Sequence, residues 1–321
     1  AMIAVAASIY LLLGLFFTRK ILLLYSFKEI EIFLSLFAIV FATNLFYYTV
    51  AEPSMSHVYS FFAVSAFVYF IKKYFQTYIE KYLNYAVVSL ALIILIRPSN
   101  GLVIFALPFL AGDKDNLIKS FQSMRISKLI PALGLALLLV LLQLFYYKIS
   151  TGNYFVYSYG NENFNFLHPH FIDFLFSYRR GMFLYAPLLL FSLLGFFPLF
   201  KHSRYEAIAL FLFLFLMTFI LSSWWMWYYG GGFGMRPVID FYVFFALMLA
   251  LLIKYSFEIK WLKTISAILV VICVSITQIQ TYQKVNFILP WDGINKEIYW
   301  EVFLKTNPAY IGKYNRNTYA K

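Results

Sequence analysis

The chain has 321 residues, of which 63% are hydrophobic, 22% aromatic and only 12% charged. A water-soluble domain of this length needs far more polar surface, so the composition excludes that class and points to an integral membrane protein. The net charge of +12 does not indicate nucleic-acid binding, because the basic residues fall mostly in short connectors and form no basic patch on a soluble fold.

In chain order, apolar runs cover roughly 2–17, 30–50, 56–71, 84–96, 100–111, 129–147, 186–200, 206–223, 238–254 and 264–281. A spanning helix needs about 20 residues, and several runs reach that length once their aromatic flanks are included. Long unbroken runs also exclude a membrane β-barrel, whose strands alternate apolar and polar residues in segments of about ten. The expected fold is all-α: a polytopic transmembrane helix bundle of about ten membrane segments, with outer-face loops and juxtamembrane helices. Residues 1–281 are expected to form the membrane domain, and 282–321 an aromatic tail on the outer face. The first run starts at Ala1-Met2 without the basic region or cleavage site of a signal peptide, so an N-terminal truncation is expected.

The runs 84–96 and 100–111 are short and meet at Arg97-Pro98-Ser99-Asn100. They form either one broken span or a hairpin with this tetrapeptide at its tip, and charge decides between the two. With the hairpin, one side of the membrane gathers Arg19, Lys28, Lys72, Lys119, Lys201, Lys254 and their basic neighbours. The other side keeps only Arg97, Lys148, Arg179, Arg180 and Arg236 before the tail. Positive charge marks the cytoplasmic side, so the hairpin is preferred and both chain ends lie outside. Residues 18–29 and 113–128 read as surface helices on the inner side.

The residues able to carry chemistry collect on the outer side. Glu52 and His57 flank a proline turn and either hold a polar ligand or metal or simply end helices. Arg97 and Asn100 sit in the hairpin tip, where a guanidinium needs a partner: a phosphate, which its two-pronged fork suits, or a carboxylate such as Glu52. His168 and His170 bracket Pro169 in the loop 148–185, a weak metal half-site without a third ligand. Phe171 and its neighbours form a short surface helix, followed by Arg179, Arg180 and Gly181, which fit an anionic ligand or lipid headgroup. The stretch WWMWYYGGGFGMRP (224–237) joins two apolar runs. Its rings suit the headgroup boundary, its glycines permit close backbone approach, and Arg236 faces either a ligand or Asp240 one turn away. Asn295 starts a short helix in the tail. Cys273 is alone in an apolar run and says nothing of redox compartment. There is no phosphate-cradling loop, no nucleophile elbow and almost no ionisable residue within the runs, which argues against an ATP-driven pump, a serine hydrolase and a proton-coupled transporter.

The stretches TVAEPSMSHVYSFF (49–62), LIRPSNGLVIFALPF (95–109), SYRRGMFLYAPLLL (177–190) and WWMWYYGGGFGMRPVIDF (224–241) together resemble the GT-C class of membrane glycosyltransferases, in its polyprenyl- or dolichyl-phosphate-sugar-dependent, bacterial mannosyltransferase-like form. The resemblance covers most of the chain through loose motifs. It implies inverting transfer of a sugar from a polyprenyl-phosphate donor to a lipid or glycan acceptor, at the periplasmic face of a bacterial inner membrane. It assigns Arg236, Arg180, Arg179 and Arg97 to the donor phosphate. Glu52, His57, His168, His170 and Asn100 would support the acceptor or a metal, and Trp224, Trp225, Tyr228 and Gly234 would line the groove. Members carry their catalytic acid in a first outer loop that this chain lacks, so the base is expected upstream of Ala1 and the chain by itself inactive. Whether a divalent metal ion assists is left open. Two other readings stay open: a lipid or polysaccharide transporter, and an O-antigen ligase- or polymerase-like enzyme.

Overall fold

A computed structural model describes residues 2–156, 160 and 162–314; the other residues, which include the last seven of the expected tail, lie outside the description. The described residues are helical without a strand, and one isolated antiparallel bridge joins Phe164 to Trp224. The helices are α1 (Met2–Leu24), α2 (Glu29–Phe41), α3 (Leu45–Val50), α4 (His57–Thr77), α5 (Glu80–Ile96), α6 (Leu107–Ala111), α7 (Lys114–Ser123), α8 (Ile126–Thr151), α9 (Phe171–Phe176), α10 (Met182–Tyr185), α11 (Pro187–Ser192), α12 (Phe196–His202), α13 (Arg204–Ser222), α14 (Tyr242–Phe257), α15 (Lys260–Val285) and α16 (Lys296–Val302). Tighter 3₁₀ segments precede α6 (Pro98–Ala106) and α14 (Arg236–Phe241).

The expectation of about ten spans needs correction. Among the described residues, five helical stretches are long and apolar enough to cross a membrane: α1, α8, α13, Arg236–Phe257 and α15. They are compatible with a multi-pass membrane protein. The remaining runs fall short for local reasons. The run 30–50 breaks where the Thr43 hydroxyl donates to the Ile39 carbonyl at 2.6 Å and accepts from the Leu45 N–H at 3.2 Å, closing α2 and opening α3. The stretches Pro98–Ala111 and Pro187–His202 are too short. The reading of 18–29 as a surface helix is also corrected, because α1 runs on unbroken to Leu24. Within 113–128 a short helix does form: the Asp113 side chain caps α7 by accepting from the Asn116 N–H at 2.7 Å.

The core is built around α4 and α14, whose side chains are buried on most of their faces. By contrast α8 and much of α1 and α15 expose rows of leucine, isoleucine and valine, the surface that hydrocarbon rather than water would cover. Close approach at the centre needs glycine. A Cβ on Gly195 would overlap the Met248 backbone, and one on Gly14 would lie 2.6 Å from the Phe61 ring.

Two polar layers close the bundle. His57 begins α4, and Lys72 lies about 22 Å further along it at 1.5 Å per residue. At the Lys72 end, this buried ammonium sits 3.9 Å from the buried Glu206 carboxylate and 4.6 Å from the centre of the Tyr25 ring. At the His57 end lie the glycine-rich loop, the hairpin tip and the tail. The chain fixes the tail there with short-range signals. The Asn295 side chain accepts from the Ile298 N–H at 2.9 Å and caps α16, while Gln283 of α15 donates to the Val302 and Lys305 carbonyls at 2.6 and 2.7 Å.

Candidate functional site

Two separate segments, the start of α4 and the hairpin tip, converge at the His57 end on one fully buried carboxylate, Asp240. The Asp240 Oδ1 atom lies 2.9 Å from His57 Nδ1. Its Oδ2 accepts from Asn100 Nδ2 at 2.7 Å and lies 3.7 Å from Arg97 Nη1. The same Arg97 nitrogen is 3.0 and 3.3 Å from the two ring nitrogens of His57. Pro53 ends α3 and lets the turn deliver His57; Pro98 starts the 3₁₀ segment that turns Asn100 inward. Of the alternatives left open by the sequence, the Arg236–Asp240 and Arg97–Glu52 pairs are not formed: Asp240, in the 3₁₀ segment Arg236–Phe241, faces the hairpin tip, and Arg97 finds its carboxylate in Asp240.

The glycine-rich loop lies beside this network. Gly230, Gly232 and Gly234 have positive φ (69°, 145° and 60°), a region closed to most side chains. Space is also short there: a Cβ on Gly232 would lie 2.6 Å from Tyr48 Oη, and one on Gly234 would lie 3.2 Å from Asn44 Nδ2. The loop is stitched to α3 and its preceding turn. The Phe233 N–H donates to Tyr48 Oη at 2.9 Å, Asn44 Nδ2 donates to the Phe233 carbonyl at 2.9 Å, and the Tyr242 hydroxyl donates to Asn44 Oδ1. Arg236, at the end of the loop, donates to the Gly231 carbonyl at 3.3 Å and touches Met55 Sδ at 3.8 Å.

The four arginines differ in what they have left to offer. Arg180 is 1% exposed and donates to the carbonyls of Gly230, Gly232 and Trp291, bolting the loop to the tail. Arg179 grips both Asp292 oxygens at 3.0 and 2.8 Å and stacks on the Tyr228 ring. In Arg97 and Arg236, by contrast, Nε and Nη2 have no protein partner among the described residues. Arg97 lies against His57 and Asp240, and Arg236 lies against Met55, on the turn that leads into His57. Four guanidiniums against the carboxylates of Glu52, Asp240 and Asp292 leave this end with an excess of positive charge.

The remaining expected site residues are placed as follows. Trp224 bridges to Phe164, Trp225 is half exposed, and Tyr228 lies under Arg179. His168 and His170 are exposed and stay outside the network; His170 Nδ1 faces Asp173 Oδ2 at 3.3 Å instead. Among the described residues no group of three or more His, Cys, Asp or Glu side chains could hold a metal ion. The sequence reading missed Tyr47, Tyr48, Lys284 and Asp292. Lys284 was the findable one: a buried ammonium at the end of an apolar helix, donating to the Pro290 and Trp291 carbonyls at 2.8 and 3.0 Å.

Burial by itself would raise the Asp292 carboxyl, but hydrogen bonds from Arg179 and the Gly293 N–H outweigh it and hold the group below its ordinary range. Arg179 is in turn held above the usual arginine value, first by that hydrogen bond, whereas burial pulls Arg180 below it. A depressed carboxylate contributes stability above its unfolded pKa, about 3.9, and loses that contribution as pH falls through the folded value. Acidification below about pH 4 is therefore expected to loosen the tail from the Arg179 loop. Amide protection factors of residues 287–302, taken relative to intrinsic exchange at each pH, should fall there and stay flat between about pH 5 and 8, where Asp292 is ionised throughout. Asp292→Asn should show the lowered protection at every pH.

Neither a family model, nor a curated protein, nor a solved structure matches the chain.

Proposed function

We propose that this chain is a membrane glycosyltransferase of GT-C type, moving a sugar from a polyprenyl-phosphate donor to a lipid or glycan acceptor at the outer, periplasmic face. The observation that carries the reading is the pair Arg97 and Arg236. They are two guanidiniums with unspent donors at the same end of the bundle, one set by a buried carboxylate and the other by the glycine-rich loop. A leaving phosphate gathers charge as the glycosidic bond breaks, and preorganised cations aimed at it are how a protein lowers that barrier. The charge pattern supports the same reading when, beside the five long stretches, α2 with α3, α4, α5, Pro98–Ala111 and Pro187–His202 are each counted as a membrane segment. The basic connectors then fall on the cytoplasmic side, and the His57 end faces out. Beside Arg179 lies a separate groove of about 360 Å³ lined by Asp173, Phe176, Tyr178 and Asn295, at the small end of ligand pockets.

A transporter would need polar positions along one path through the bundle. The two polar layers instead stand apart, and the Lys72–Glu206 pair at the far end is closed on itself. A ligase- or polymerase-like enzyme would share the arginine pair and differ in its acceptor.

The test is donor binding and sugar transfer by the full chain in nanodiscs, with a panel of radiolabelled polyprenyl-phosphate sugars. Arg236→Ala is expected to weaken binding of polyprenyl phosphate about 10- to 100-fold, the worth of one or two charge-assisted hydrogen bonds, while the melting temperature holds. Normal affinity in that variant would remove Arg236 from the site, and no binding or transfer with any donor by well-folded wild-type protein would sink the reading.

A further inference from the structure

The three carboxylates at the His57 end are not equally occupied. Asp240 spends one oxygen on His57 and the other on Asn100. Asp292 spends both on Arg179. Glu52 accepts the Tyr47 hydroxyl on Oε1 at 2.7 Å, but its Oε2 is buried without a hydrogen-bond partner among the described residues. A buried acceptor left without a donor costs about 1–3 kcal/mol, and more when it is charged. Of the oxygens on these three carboxylates, Glu52 Oε2 is the one left open to a proton donor among the described residues.

Its placement is fixed. The turn that carries Glu52 is tied back by the Glu52 N–H to the Tyr47 carbonyl at 3.3 Å and by the Met55 N–H to the Glu52 carbonyl at 3.1 Å. Tyr59 donates to the Pro53 carbonyl at 2.9 Å. The same turn sets Met55 against Arg236, and Tyr48 interacts electrostatically with Glu52, Arg180 and Arg236 together. The unpartnered oxygen thus lies on the turn that also carries Met55, which Arg236 touches, and among the described residues no cation is paired to it at contact distance.

We propose that Glu52 is the general base of the transfer, taking the acceptor's proton on Oε2; this rests on the glycosyltransferase reading above. In the step, the acceptor O–H bond breaks as its proton passes to Glu52. The freed oxygen pair forms the new bond to the anomeric carbon. The bond from that carbon to the phosphate oxygen breaks, its electron pair leaving with the lipid phosphate, which Arg97 and Arg236 hold. Neither an oxidant nor any further reactant enters. The resemblance looks for its acid upstream of Ala1, whereas the geometry supplies one within the chain.

The test compares wild type, Glu52→Gln and Glu52→Asp in nanodiscs with a polyprenyl-phosphate sugar and its acceptor, alongside binding of polyprenyl phosphate alone. Glutamine keeps the shape and can still accept from Tyr47, so the fold is expected to hold. Loss of general-base catalysis should lower kcat about 10²- to 10⁴-fold with polyprenyl phosphate affinity unchanged. Glu52→Asp should retain part of the rate. The acidic limb of the kcat/KM profile should be present in wild type and missing from the residual activity of Glu52→Gln. Full turnover by Glu52→Gln, or a fall in donor affinity that accounts for its lost rate, overturns the assignment and leaves the transferase reading standing. A wild-type protein that neither binds polyprenyl phosphate nor transfers sugar takes both down.

Discussion

Asp240→Ala is expected to cost about 3–5 kcal/mol of stability, the size of effect seen when one partner of a buried ion pair is removed. Asp240 is fully buried and ties three segments together: its own 3₁₀ stretch, the start of α4 through His57, and the hairpin tip through Asn100 and Arg97. Without it, Asn100 loses its acceptor and Arg97 keeps its charge 21% exposed with no carboxylate beside it. The melting temperature in detergent should fall on the order of 10 °C. Asp240→Asn separates charge from shape. It keeps the volume, but one of its two terminal atoms becomes a donor, and with the other turned to His57 that donor faces Asn100. Its loss should fall between wild type and alanine. Because Arg97 is then free to swing, both variants should weaken polyprenyl phosphate binding, although Asp240 has no oxygen left for a ligand. A melting temperature within a degree or two of wild type for Asp240→Ala would mean that the three segments are held by packing alone.

The helical class was legible because it rests on bulk composition, which a single misread residue cannot overturn. Segment count was less so. Hydropathy alone does not register that Thr43 stops α2 with its own hydroxyl, or that Lys72 and Lys73 make α4 the more polar of the long core helices. The site was legible as a set of exceptions: charged and glycine-rich stretches that an apolar chain has no other reason to keep. What the sequence cannot give is how those exceptions pair. Arg236 and Asp240 stand one helical turn apart in sequence and look like partners, yet a 3₁₀ start changes the angle between them and hands Asp240 to His57, far away in the chain. Arg179 and Arg180 are adjacent and chemically identical, but one grips a carboxylate while the other is consumed by backbone carbonyls. Only the fold separates an arginine that holds the protein together from one that has hydrogen bonds to spare.

That distinction gives the second large effect. Arg180→Ala is expected to destabilise the protein by roughly the same few kcal/mol as the loss of Asp240 and to disorder two segments together. Its guanidinium is buried among the carbonyls of Gly230, Gly232 and Trp291, with Asp292 3.8 Å away. Removing it leaves the Gly230 and Gly232 carbonyls short of a donor, each at about 1–3 kcal/mol where they stay buried; the Trp291 carbonyl keeps Lys284. The loop's positive-φ glycines give it little conformational preference of its own, so it should loosen when the bolt is gone. Amide exchange is expected to rise at 230–236 and at 287–293 in the same variant, and polyprenyl phosphate affinity should fall because Arg236 is no longer held in place. Arg180→Lys should not restore it: one ammonium on a flexible stem replaces a planar fork that reaches three carbonyls at once. Exchange rising in only one of the two segments would show that Arg180 braces that segment alone, and the tail would then have no hold on the arginine we assign to the donor phosphate.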